Sequence, residues 1–105
     1  MTYPSLTWVR SQLRNNSVSR IRHKVISAYV VGSYARGTAV KDSDLDIAVV
    51  IPRMEMVSAL QATERYHSKF RDARFLPVWN GVQVDFQFFY PDDVELAGYS
   101  KIKIA

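Results

Sequence analysis

The sequence contains no cysteine, which excludes a disulfide framework and a thiolate metal centre and is the usage expected of a reducing cytoplasm. No apolar run approaches the roughly 20 residues of a membrane span. The first ten residues lack the charged-then-apolar layout of a signal peptide, so a soluble cytoplasmic protein is expected. Acidic residues are missing from the whole N-terminal third. None of the ten Asp and Glu precedes Asp42, whereas Arg10, Arg14, Arg20, Arg22, Lys24, Arg36 and Lys41 do. The formal charge of +4 therefore divides into +7 before Asp42 and −3 from there on. A surface for polyphosphate, nucleic acid or an acidic partner is one reading, and a solvated helix face is the other. No aromatics interleave these basic residues, which disfavours a base-stacking surface for single strands.

What is present fits one folded domain spanning residues 1–105. The hydrophobic fraction is 48% and the charged fraction 23%, a balance that supports a single core at this length. Ser5 is placed to cap a helix whose apolar positions Leu6, Val9 and Leu13 recur at helical spacing. Asn15-Asn16 is a stop, and a short turn or loop covers 17–24. Residues 25–31, rich in β-branched and aromatic side chains, read as a first strand ended by Gly32. Residues 45–51 read as a second strand, apolar on both faces after its entrance and stopped by Pro52. Residues 54–73 carry Met56, Ala59, Leu60, Thr63, His67 and Phe70 on one stripe and predict a helix. Asn80-Gly81 is a two-residue hairpin loop between 74–79 and 82–90. In the second arm Val82, Val84, Phe86 and Phe88 alternate with Gln83, Asp85 and Gln87. Pro91 ends that arm, Asp92 caps a short helix through Leu96, Gly98 breaks it, and 101–105 carry no clear signal. The order predicts an α/β (α+β) domain with a small mixed sheet of about four strands and helices on one face.

The chemistry concentrates between Gly32 and Asp46. A strand ending in glycine and turning into a short helix presents free N–H groups to a phosphate, and glycine lets the backbone approach closely. Ser33 adds a hydroxyl and a further N–H. Asp44 and Asp46, one residue apart at a strand entrance, point to the same face. Their mutual repulsion makes a divalent cation the natural partner, Mg²⁺ above others because the donors are oxygens. Asp85 lies on the polar face of the second hairpin arm. Beside the 45–51 strand it completes a three-carboxylate cluster, enough for two ions; away from it, it is an exposed aspartate between two glutamines. Arg36 either steadies phosphate or pairs with a carboxylate. His23 and His67 have no partner pattern for zinc or for catalysis and read as structural. Trp8, Trp79 and the 86–90 aromatics read as core or interface.

Gly32-Ser33, ten residues and then Asp44-x-Asp46 resembles the signature of the DNA polymerase β nucleotidyltransferase superfamily. Gly-Ser-Tyr-Ala-Arg-Gly at 32–37 followed by Ser-Asp-Leu-Asp-Ile at 43–47 is similar to its minimal nucleotidyltransferase branch. The resemblance spans roughly residues 25–90. It implies a polymerase β-like core and two Mg²⁺ ions. It also implies transfer of a nucleoside monophosphate, AMP from ATP, to a hydroxyl with release of pyrophosphate. Carried across, Gly32 and Ser33 hold the triphosphate, Arg36 and Gly37 match the Ala-Arg-Gly segment, and Asp44, Asp46 and Asp85 bind metal. Asp85 is in addition the expected acceptor of the attacking hydroxyl's proton, or its metal-mediated equivalent. The branch is often paired with a small helical HEPN protein, as the antitoxin that adenylylates a tyrosine of its partner, and this pairing is the leading expectation. With no residues left over for a second domain, the acceptor is expected to be gripped by another chain or by a dimer mate. The alternatives are adenylylation of a small molecule such as an aminoglycoside, or a non-catalytic module that binds nucleotide or masks a toxin.

Overall fold

In the computed structural model, which describes residues 2–14, 24–52 and 77–105, the two apolar segments lie side by side at the centre of one sheet. β1 (Ser27–Val31) runs antiparallel to β2 (Leu45–Val50), with Val31 opposite Asp46. The hairpin expected at Asn80-Gly81 is present as β3 (Val78–Trp79) and β4 (Val82–Phe89). Asn80 and Gly81 have φ of 50° and 80°, the paired positive values of the turn that matches strand twist. β4 pairs with β2 in parallel, Leu45 facing Val84 and Asp46 facing Asp85. A parallel pair needs a crossover; the helix predicted at 54–73 falls in that connection, outside the described residues. The Asn15-Asn16 stop, residues 17–23 of the predicted turn, and residues 74–76 of the first hairpin arm also lie outside them.

A fifth strand, β5 (Ile102–Lys103), joins the far edge of β1, giving the order β3-β4-β2-β1-β5. It comes from the tail that carries no sequence signal, for a physical reason. Two exposed residues at an edge, one of them a lysine, show neither alternation nor an apolar run, and lysine on an edge discourages further pairing.

Beyond Asp46 the central strand β2 is buried on both faces, as its composition predicts. One face of the sheet packs Ala28, Val30, Leu45, Ile47, Val49, Val84 and Phe86 against Val9 and Leu13 of α1 (Leu6–Arg14). Burying each of the Val, Leu, Ile and Phe side chains contributes roughly 1.5–3 kcal/mol. α1 begins as expected, with Ser5 Oγ accepting from the Trp8 N–H at 3.1 Å. Trp8 sits edge-on to Trp79 with ring centroids 5.3 Å apart and lies over Phe86, so both tryptophans belong to the core margin. Arg10 donates from Nη2 to the Val25 carbonyl at 2.9 Å, so one cation of the basic third ties α1 to the chain entering β1.

The opposite face holds a smaller cluster of Val31, Ala48, Val50, Phe89 and Leu96. Leu96 belongs to α3 (Val94–Ala97), and α2 is the short helix Gly32–Arg36. The cap of α3 is Asp93, one residue later than expected: its Oδ1 accepts from the Glu95 N–H at 2.9 Å. Two adjacent aspartates offer two caps, and the closing turn after Pro91 selects the second. Gly98 ends the helix as predicted. Tyr99 follows, its ring edge-on to Phe89 at 5.9 Å and its hydroxyl donating to Glu95 Oε1 at 2.6 Å.

Candidate active site

The register of β2 on β4 builds the site. Because Leu45 and Ile47 are committed to the α1 face, Asp46 is turned to the other, and the Leu45–Val84 pairing turns Asp85 the same way. The two aspartates are direct cross-strand partners. Asp44, two residues upstream, lies in the exposed approach to β2. A short loop fixes that approach: the Ser43 N–H donates to the Val40 carbonyl at 3.0 Å, and Ser43 Oγ accepts from the Val40 N–H at 2.9 Å.

Electrostatics tie the three acids together. Burial raises the pKa of Asp46 above its ordinary value, and the charges of Asp85 and then Asp44 raise it further; Arg36 opposes them. Each of these groups is thus within electrostatic reach of the Asp46 carboxyl. Among the described residues, no three Asp, Glu or His side chains stand in a ready ligating cluster. The reason is visible in the placement: Asp44 is a loop residue in solvent, while its two counterparts are strand residues.

Gly32 lies with its backbone against the Asp46 carboxylate. It turns the chain from β1 into α2 with φ +69°, and a Cβ built on it would collide with Asp46 Oδ2. Only glycine lets the turn sit against the carboxylate. α2 is closed at its other end by Gly37 in the left-handed region, with the Thr38 N–H donating to the Ser33 carbonyl at 2.9 Å.

A hollow of about 200 Å³ opens beside the Gly32–Asp46 contact, walled by Val31, Gly32, Arg36, Asp46, Gln87, Tyr99 and Ser100. It brings together three of the six site residues expected from the sequence. Asp85 is tied in by register and charge. Asp44 borders a second hollow of about 330 Å³ with Lys41, Asp42, Ser43, Gly81, Val82 and Gln83. Ser33 lines neither hollow. Gln87, Tyr99 and Ser100 are the wall residues that the sequence reading misses. Gln87 had a signal, being two positions after Asp85 on the same face. The other two reach the site only through the return of the chain after α3, which no local pattern announces.

The donor set consists of oxygens alone, the chemistry of a hard divalent cation, and the missing Cβ of Gly32 lets the Asp46 carboxylate lie against the turn. The chemistry of these residues fits a Mg²⁺ ion, which they would hold beside the glycine turn. Among solved structures, that of a candidate nucleotidyltransferase from Sulfolobus solfataricus superimposes with a TM-score of 0.56, covering 93% of this chain and 77% of that one at 19% identity. That likeness establishes the fold. None of the curated proteins matches the chain. The family model described as nucleotidyltransferase domain matches residues 11–104, which includes the glycine turn, all three aspartates and every strand of the sheet. By that match, the chain belongs to the nucleotidyltransferase domain family.

Proposed function

We propose that this chain is a Mg²⁺-dependent adenylyltransferase that moves AMP from ATP to a hydroxyl of a partner protein, a small helical protein of the HEPN type, and so acts as the antitoxin of a toxin–antitoxin pair. The observation that carries the catalytic part is the pairing of Asp46 with Asp85 across β2 and β4, next to a turn that only glycine fits. The partner and the pairing rest on the resemblance of residues 32–47 to the minimal branch of the family.

In this reading Asp44, Asp46 and Asp85 hold the metal. When bound, Mg²⁺ offsets the charge of the triphosphate and favours ionisation of the attacking hydroxyl. Gly32 and Ser33 bring backbone against the polyphosphate, and Arg36 adds a positive charge on the same wall. Asp85 accepts the proton of the acceptor hydroxyl. That oxygen forms a bond to the α-phosphorus, the bond from the α-phosphorus to the bridging oxygen breaks, and pyrophosphate leaves. No covalent enzyme intermediate is needed, because positioning and charge stabilisation account for this chemistry.

The test is incubation with α-labelled ATP, Mg²⁺ and a HEPN partner, comparing wild type with Asp44→Ala plus Asp46→Ala. Label on the partner from the wild type alone is the expected result. Equal label from both proteins, or none from either, overturns the catalytic reading. Neutralisation of the partner that survives the double substitution points instead to a masking module.

A further inference from the structure

The hollow beside Asp46 is lined by Gly32, Arg36 and Asp46, the groups suited to phosphate and metal, and also by Gln87, Tyr99 and Ser100. Gln87 stands on β4 two residues beyond Asp85 and faces the site side of the sheet. Its cross-strand partner is Ala48, which is fully buried in the small apolar cluster of that face. The Tyr99 hydroxyl is engaged by Glu95 at 2.6 Å, and its ring is braced on Phe89, so it acts as a fixed surface rather than a free donor. Among the described residues, the Gln87 amide has no such engagement. It is half-buried, lines the hollow and offers both a donor and an acceptor.

The hollow, of about 200 Å³, is partly open to solvent. We infer that Gln87 is the specificity-determining residue of the site, reading the nucleoside half of the nucleotide while the Asp46 side handles the phosphates. An amide with paired donor and acceptor matches the N6/N7 edge of adenine, to which glutamine makes two-point contacts. A site built to hydrogen-bond a ligand also discriminates strongly against one that lacks the matching groups. This inference rests on the nucleotide-binding reading above and adds to it the residue that selects the nucleotide.

Calorimetric titration of the full chain with Mg²⁺-ATP, Mg²⁺-GTP and Mg²⁺-tripolyphosphate tests it, in wild type, Gln87→Ala and Gln87→Met. The methionine variant keeps side-chain length without the amide, so the comparison survives if the alanine variant folds poorly. The expected result is ATP binding weakened about tenfold in both variants, with the preference between ATP and GTP reduced and tripolyphosphate binding within twofold of wild type. ATP and tripolyphosphate weakening together, or ATP binding unchanged, overturns the role of Gln87. Wild type binding ATP no better than tripolyphosphate overturns the nucleoside subsite while leaving the phosphate-handling reading intact. Wild type binding none of the three overturns both.

Discussion

At the scale of single residues the site is organised around Asp46, which is held against a glycine on one side and a second aspartate on the other. Gly32 combines a φ of +69° with a Cα that faces the Asp46 carboxylate. Gly32→Ala therefore adds about 1–2 kcal/mol of left-handed strain and displaces the carboxylate. The expected outcome is a melting temperature several degrees lower and loss of nucleotidyl transfer by at least about a hundredfold, read by thermal unfolding and label transfer. The placement of Asp46 comes at a cost to stability. Its folded pKa is raised above the ordinary 3.8, chiefly by burial and then by Asp85 and Asp44. The folded chain thus binds that proton more tightly than the unfolded chain, and stability falls as pH rises from 3.8 through the raised value. Without divalent cations, Asp46→Asn is expected to melt higher than wild type at neutral pH, and the gain should vanish near and below pH 3.8. The same substitution is expected to abolish label transfer to the partner if the proposed function holds. Asp44, Asp46 and Gly32 were legible because one short stretch carries them with their chemistry adjacent. Tyr99 and Ser100 were not, since their place in the wall depends on where α3 returns the chain.

At the scale of elements, the decisive fact is register. A slip of one residue between β2 and β4 would turn Asp85 into the α1 face and Val84 out of it. The hairpin fixes β4 through Asn80 and Gly81, both at positive φ, with open space around the Gly81 Cα. Gly81→Ala therefore introduces strain without a clash. It should cost about 1 kcal/mol, a drop of roughly 4–8 °C in melting temperature, followed by circular dichroism, with Mg²⁺-ATP affinity retained. The hairpin, both central strands and α1 were readable from two-residue loops, alternation and capping. The parallel pairing of β2 with β4 entered the sequence reading only as a condition, because local pattern cannot state which distant strands become neighbours. β5 and the shift of the α3 cap to Asp93 escaped it for the reasons of edge exposure and doubled aspartates.

At the scale of the molecule, the sheet separates two tasks. The α1 face carries the larger core with Leu13, Leu45, Ile47 and Phe86. The other face carries a small apolar cluster at one end, with Asp46, Asp85 and Gln87 beside it. The basic N-terminal third divides likewise, Arg10 binding α1 to the Val25 carbonyl while Arg36 lines the hollow. The central claim is that acids from two distant segments, 44–46 and 85, form one metal centre. Its most direct test is electron paramagnetic resonance titration of Mn²⁺ into the protein with a non-hydrolysable ATP analogue, in wild type and Asp85→Asn. The account predicts two bound ions per chain in the wild type and at most one, more weakly held, in the variant. The same stoichiometry and affinity in both proteins would contradict it.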